Sequence, residues 1–433
     1  MAEKKKFIYG LIVGIVIVLI FDIIYLGAGP LIRKIEDDNG IQVVEEGYES
    51  PNSKINDIIR YIDDKYYLED YDKEQLKANA YRGLIETLDD RYSGYFTKDQ
   101  YASFIESSTG EYQGIGAAVN FNEETKDIMI VSPFIGSPAE KAGLLPGDII
   151  KKVDGEDIKG LSLEEVVQNK IRGKKDTKVV LTIYRPEIVE NAEGELEIKD
   201  TDVKEEDFID IEIIRDVISE PTVSYDMLDN NMGYIRVTGF EEVTYQQFKE
   251  ALVDLESQML EGLIIDLRNN PGGLLNIVID MADELLPEGL IVYTEDKEGN
   301  RQVAYSDNKH QFNKPLVVLV NENSASASEI LAGAVKDSGT GTLVGTTTFG
   351  KGLVQRVFPL EDGSAIKLTI AKYFTPSGDY IHDKGITPDI EAELPEEWQK
   401  YLTVPREEDT QLDKAIQVLG EKIKENKAIA DKE

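Results

Sequence analysis

The sequence predicts a multidomain α/β protein, and three observations carry that expectation. Over residues 219–393, strand patterns alternate with helical patterns, as in an α/β core. Residues 112–218 instead read as a mostly-β insertion, with "TKVVLTIYRP" and "FIDIEIIRDVI" alternating as strands. Ahead of both, the run from Phe7 to Leu26 is apolar and about long enough to span a hydrocarbon core of ~30 Å.

The N-terminus predicts a transmembrane helix. Lys4, Lys5 and Lys6 precede the apolar run, and Asp22, its one charge, lies toward the far end. Positive charge ahead of the run places the lysines in the cytoplasm and everything after Gly29 outside. "LGAG" is rich in small residues but lacks a clean A-x-A, so residues 1–29 read as an uncleaved single-pass anchor rather than a signal peptide. Residues 30–52, polar and acidic, read as a stalk. Residues 53–111 form a helical segment, with Ile55, Ile58, Ile59 and Ile62, then Leu76, Ala80, Leu84 and Leu88, at helical spacing. In "LDDRYSGYFTKDQYASF" a turn leads to a short helix, and its aromatic residues read as core.

In the 112–218 insertion, "YQGIGAAV" is a glycine-rich loop entering a strand. Ser137-Pro138 starts a short helix that Gly143 ends, and Pro146-Gly147 turns the chain into "DIIKKV". Ser162 and Glu165 are spaced as a capping box. Residues 187–207, strongly acidic with little apolar content, read as an exposed loop. Residues 394–433 read as a C-terminal helical segment.

Composition excludes several chemistries. With 47 basic and 83 acidic residues, a net charge of -36, the chain is not a non-specific ligand of nucleic acid or anionic lipid. No cysteine means no disulfide, thiolate metal site or cysteine nucleophile, and with only 2 histidines a structural zinc site is not expected. No loop has the spacing of an EF-hand.

Two turns in the core invite chemistry. "LRNNPGGLL" and "VNENSASASEILAGA" each follow a buried strand and enter a helix. Turns at the same end of a sheet form the crevice where α/β proteins bind ligands. Ser324, Ser326 and Ser328 are candidate nucleophiles, and sequence alone does not choose among them. A serine nucleophile needs a base. His310 and His382 both read as surface or loop residues. Lys351, between two glycines in "TTFGKGLVQ", serves if burial lowers its pKa.

The insertion resembles a PDZ domain, on "YQGIGAAV" and "SPAEKAGLLPGDIIKKVDG". That resemblance implies that Gly114, Ile115, Gly116 and Ala117 offer backbone N–H groups to a peptide carboxylate, with the peptide added as an edge strand. From about residue 54 onward the chain resembles the C-terminal processing, or tail-specific, proteases. The match rests on "LRNNPGGLL", "NENSASASEILAGAVKDSG", "TTFGKGLVQ" and "TPSGDYIHDKGITPDI", with "LDDRYSGYFTKDQY" upstream. The resemblance implies a ClpP/crotonase-like core, with Ser326 as nucleophile, Lys351 as base and Gln355 orienting the lysine. It implies protein or peptide substrates with exposed C-termini, no cofactor and no metal, and homodimers built by the terminal helical segments 54–88 and 396–425. The oxyanion donors expected beside this Ser–Lys pair are the N–H of Ala327 and one N–H of the Gly272-Gly273 turn. Arg172 is expected to couple bound peptide to the active site. Two alternatives stand beside this reading: an anchored PDZ scaffold without catalysis, and a crotonase-like acyl-transfer enzyme.

Overall fold

The computed structural model describes residues 51–430, apart from 69–70, 124, 191–195, 199–203, 308, 400 and 402–403, together with two short strands nearer the N-terminus. The anchor expected at 1–29 lies outside the described residues; among those described, no helix is long and apolar enough to cross a membrane. The expected stalk carries a hairpin, in which β1 (Arg33–Ile35) pairs antiparallel with β2 (Gln42–Val44).

The chain divides into two units, 1–84 and 85–433. The first ends in two helices, α1 (Pro51–Lys65) and most of α2 (Lys73–Glu86), and leaves Ile58 and Tyr61 exposed. The second begins with a turn, β3 (Gly94–Phe96) and α3 (Lys98–Thr109), which Thr97 and Gln100 start with a reciprocal capping box.

The insertion opens with β4 (Glu111–Gly114) and β5 (Ala117–Phe121). Then come β6 (Ile128–Pro133), α4 (Pro138–Lys141), β7 (Ile149–Val153), β8 (Glu156–Asp157) and α5 (Leu163–Val166), which continues as a π-helical turn to Ile171. Ser137 and Ser162 cap the two short helices as expected. β9 (Lys178–Tyr184) completes the first run of the sheet. The acidic stretch 187–207 is not simply a loop: β10 (Ile188–Glu190) pairs with β11 (Leu196–Ile198) as a hairpin. Its few β-branched residues suffice for strand pairing despite the charge. β12 (Phe208–Ile214) closes a sheet of order β12-β9-β7-β6-β5, so β5 is an edge strand. β13 (Asp216–Ser219) returns to pair with β4.

The core alternates as predicted. β14 (Val223–Leu228), β15 (Met232–Val237), α6 (Thr244–Ser257), β16 (Gly262–Asp266), α7 (Leu275–Leu285), β17 (Gly289–Asp296), β18 (Arg301–Ser306) and β19 (Leu316–Val320) follow in turn. After them come α8 (Ala327–Ser338), β20 (Gly341–Gly345), β21 (Leu353–Pro359), β22 (Ala365–Phe374), β23 (Ile390–Glu391) and α9 (Thr410–Ala430). Among the described residues the main sheet has order β14-β15-β16-β19-β20-β23, parallel except at β14. A second sheet joins β18, β17, β22 and β21, with β3 pairing to β22.

Every residue of β16 and β19 is buried, because both faces of a parallel sheet are covered. Leu263, Ile265, Leu316 and Val318 face a core shared with α6, α7 and α8. Ile264, Val317 and Leu319 face Leu412, Ala415, Val418 and Leu419 of α9. The apolar stripe of the C-terminal helix, one of the two segments expected to build a dimer, is thus covered by its own sheet. The buried Arg268 fastens this helix to the sheet through ion pairs with Asp266 and Asp409, both at 2.7 Å.

Candidate active site

The two turns singled out in the sequence meet at the carboxyl ends of β16 and β19. Asn269 and Asn321 interlock, with Asn321 Oδ1 accepting from the Asn269 N–H at 2.9 Å. The outer serines complete the weld and are not helix caps. Ser324 Oγ donates to the Leu267 carbonyl at 2.8 Å, and Ser328 Oγ donates to the Asn270 carbonyl at 2.9 Å. Both are fully buried. Ser326 alone of the three lines a 340 Å³ cavity, with Ala327, Gly273, Lys351 and Gln355. A larger cavity, of 510 Å³, lies beside Arg268 and Asp409, and none of those candidates lines it.

Ser326 stands immediately before α8 with φ 55° and ψ -112°, a left-handed conformation that a non-glycine residue adopts at a cost of ~1–3 kcal/mol. The strain is held by Glu329, whose carboxylate sequence reasoning missed. Glu329 is fully buried and accepts from the Ser326 N–H (2.9 Å), the Lys351 N–H (2.8 Å), the Gly350 N–H (2.7 Å) and Thr348 Oγ1 (2.6 Å). One carboxylate therefore ties the serine turn to the lysine loop. The only signal was the S-x-x-E spacing, which reads equally well as an ordinary helix cap.

The glycines around Lys351 are explained by close packing. A Cβ on Gly350 (φ +86°) would meet the backbone nitrogens of Gly385 and Lys384 at 2.8 and 2.9 Å, and one on Gly352 would meet that of His382 at 2.9 Å. His382 is half-buried under this loop, and its Nδ1 accepts from the Gly352 N–H at 3.3 Å. It is a support of the loop rather than a surface histidine. His310 is exposed and groups with Asp283 and Asp307, none of which lines the cavity.

The Lys351 ammonium is half-buried, and burial pushes its pKa below the ordinary value, helped by the nearby Lys367 charge; Glu329 and Asp90 oppose this. Gln355 Nε2 donates to Thr369 Oγ1 at 3.2 Å. Among the described residues no hydrogen bond joins Ser326 Oγ to Lys351 Nζ.

The expected oxyanion turn is narrowed. The Gly272 N–H donates to Asn270 Oδ1 at 2.8 Å, so it is not free for an oxyanion. The Gly273 and Ala327 N–H groups have no partner among the described residues. Gly272 instead leaves room for the serine turn. At its φ of +105°, an added Cβ would lie 2.8 Å from the Ala325 carbonyl and from Ser326 Cβ.

The model of peptidase family S41 matches residues 231–392, and that of the PDZ domain matches residues 130–185. The carboxy-terminal processing protease CtpA of Bacillus subtilis is 41% identical over 349 residues, 80% of this chain and 70% of its own. The chain belongs to the C-terminal processing proteases. A carboxyl-terminal-processing protease of Synechocystis is 42% identical over 320 residues, covering 73% of this chain and 71% of that one. A solved structure from Bacteroides fragilis that carries the S41 name shares the fold, with TM-score 0.51 at 16% identity over 86% of this chain and 98% of the other.

As a serine protease of this family, the chain carries a PDZ domain ahead of its protease core. The loop Gly114–Ala117 precedes the edge strand β5. The Ile115 and Gly116 N–H groups have no partner among the described residues, while their carbonyls accept from Ala139 and Phe134. Gly116, at φ +76°, has no room for a Cβ, which would approach Ser137 Cβ to 2.6 Å. The Arg172 side chain is partly buried. Its guanidinium pairs with Glu106 of α3 at 2.6 Å and lies over the Tyr112 ring at 4.3 Å. Phe104, Ser107 and Ser108 of the same helix line the cavity that holds Ser326 and Lys351.

Proposed function

We propose that this protease cleaves proteins near exposed C-terminal tails by acyl transfer through Ser326, with Lys351 as the base and Gln355 orienting it. The observation that carries this reading is a lysine of depressed pKa sharing one cavity with a serine on a strained turn. Neutral Lys351 takes the Ser326 hydroxyl proton as Oγ adds to the scissile carbonyl. The Ala327 and Gly273 N–H groups, with the positive end of α8 behind them, receive the oxyanion. Collapse returns the proton to the leaving amine, and water repeats the sequence to release the acid. On this account Gly273→Ala, whose Cβ would come within 2.4 Å of the Phe240 carbonyl, lowers kcat by about 10²-fold or more. Gly272→Ala does so by displacing Ser326. Full turnover in both variants would remove the turn from the oxyanion site.

The PDZ domain supplies the tail recognition. The free edge of β5 and the unpartnered N–H groups of Ile115 and Gly116 support capture of a peptide carboxylate. Arg172 couples that event to the cavity through Glu106 and α3. Peptide-stimulated cleavage is therefore expected to be lost in Arg172→Ala with basal cleavage retained, and unchanged stimulation would refute the coupling. The apolar N-terminal run anchors the chain in the cell membrane with its catalytic part outside the cytoplasm. The exposed Ile58 and Tyr61 of α1 support a homodimer through this segment, which the sedimentation mass of the full-length chain reads directly.

The test of function is cleavage of an unstructured protein with an apolar C-terminal tail by the full-length chain, beside Ser326→Ala and Lys351→Ala. Only the parent is expected to cleave. The scaffold reading requires that the parent also fail, even with tail peptide added.

A further inference from the structure

The turn between α2 and α3 reads as core in the sequence, yet one of its side chains reaches Lys351 and another reaches the residue bonded to Gln355. The Tyr92 ring is half-buried and lies under Lys351 Nζ, 4.9 Å from the ring centroid. Arg91 also stacks on this ring, at 4.9 Å, and its Nη2 donates to the Tyr92 hydroxyl at 2.7 Å. Ser93 Oγ donates to Asp90 Oδ2 at 2.6 Å and accepts from the Thr369 N–H at 3.1 Å. Thr369 is the residue that receives the Gln355 amide at 3.2 Å. The turn is itself rigid: Asp90 Oδ1 accepts from the Tyr92 N–H at 2.9 Å, and β3 pairs with Ala365–Lys367 of β22, the strand that carries Thr369.

We propose that the Asp90–Ser93 turn is a positioning element of the active site: the face of Tyr92 holds Lys351 Nζ in the cavity, and Ser93, fixed by Asp90, holds Gln355 through Thr369. An aromatic face attracts an ammonium group and keeps water from one side of it. A residue that merely filled the core would have no reason to sit beneath two cations. The hydroxyl of Ser93 acts at one remove, since Gln355 orients the base only while Thr369 stays in place. Around Lys351 the other charged or titratable groups are Lys367, Glu329 and Asp90, with Tyr373 lining the cavity and Arg91 and His382 touching the Tyr92 ring. The turn thereby links the segment before the PDZ domain directly to catalysis.

This inference rests on the Ser–Lys reading, and the two fail differently. Cleavage surviving Ser326→Ala or Lys351→Ala sinks the reading; if both are dead, the turn is tested alone. The full-length chain and its Tyr92→Phe, Tyr92→Leu and Ser93→Ala variants are compared for kcat, KM and the acid limb of kcat/KM against pH. Tyr92→Phe keeps the ring face and is expected within about twofold of the parent. Tyr92→Leu keeps the bulk but loses the attraction for the ammonium. Its kcat is expected to fall about tenfold at unchanged KM, with the acid limb moving down by about half a pH unit. Ser93→Ala, a change of one hydroxyl that the fold tolerates, lowers kcat severalfold and leaves the acid limb in place, because it acts through Gln355. Parental kcat and an unmoved acid limb in Tyr92→Leu overturn the proposal, as does equal loss in Tyr92→Phe and Tyr92→Leu, or full activity in Ser93→Ala.

Discussion

Lys351→Met is expected to abolish cleavage and to raise the melting temperature of the protein. Burial lowers the pKa of Lys351 from its ordinary value of 10.5, with Lys367 adding to the effect. The folded chain therefore binds fewer protons at this site than the unfolded chain over the interval between the folded pKa and 10.5. Stability contributed here rises with pH across that interval and is lost as pH falls through the folded value. Below it, the full cost of burying an ammonium is present. A thioether of similar length carries no such cost. The gain in melting temperature from Lys351→Met is thus largest toward neutral pH and shrinks as pH climbs toward the ordinary lysine range. Activity follows the same proton: kcat/KM of the parent rises with pH through the folded pKa, because only neutral Lys351 accepts the Ser326 proton. Thermal melts of both proteins across this range check the first half, and a pH–rate profile checks the second. A lower melting temperature for Lys351→Met at neutral pH would mean that the lysine is held for stability rather than catalysis.

The second large effect is expected from Glu329→Gln. The carboxylate accepts four hydrogen bonds, two at each oxygen: Thr348 and Gly350 on one, Ser326 and Lys351 on the other. An amide has one accepting oxygen. Placed toward Ser326 and Lys351, it turns its NH₂ toward the Gly350 N–H; placed the other way, it opposes two backbone donors. Thr348 can reverse its hydroxyl and accept, but a backbone N–H cannot. At least one buried donor is therefore left unmade, at about 1–3 kcal/mol of stability. The catalytic loss is larger in proportion, since the serine turn and the lysine loop are joined here. A displacement of about 1 Å between reacting groups costs ~10²-fold, and kcat is expected to fall by about that factor with KM little changed. Parental melting temperature and kcat in Glu329→Gln would show that some other contact holds the strained turn.

The legible part of this protein was local. Strand–turn–helix at "LRNNPGGLL" and "NENSASASE" follows from a buried β-branched run, a glycine or polar turn and a helical period, all within a few residues. A lysine between glycines reads by itself as a solvated loop lysine, and the cause of its glycines, the backbone of 382–385 pressed against the loop, is not local. The illegible part depends on contacts between distant segments. Ser324 and Ser328 look identical to Ser326 in sequence, and only the fold shows them buried and bonded to the carbonyls of Leu267 and Asn270. Glu329 satisfies a capping pattern while serving the lysine loop 22 residues on. Tyr92 has an aromatic residue's ordinary claim on the core, and its cation lies far along the chain. The C-terminal helix has the same ambiguity: an amphipathic stripe states that a face is covered, not by what.

The measurement that bears most directly on the central claim is covalent labelling of the full-length chain with a serine-directed fluorophosphonate, followed by peptide mass mapping. Modification on Ser326 alone is predicted, at a rate that rises with pH through the Lys351 pKa and vanishes in Lys351→Ala. Modification on Ser324 or Ser328, or a rate indifferent to Lys351, would contradict the Ser–Lys account.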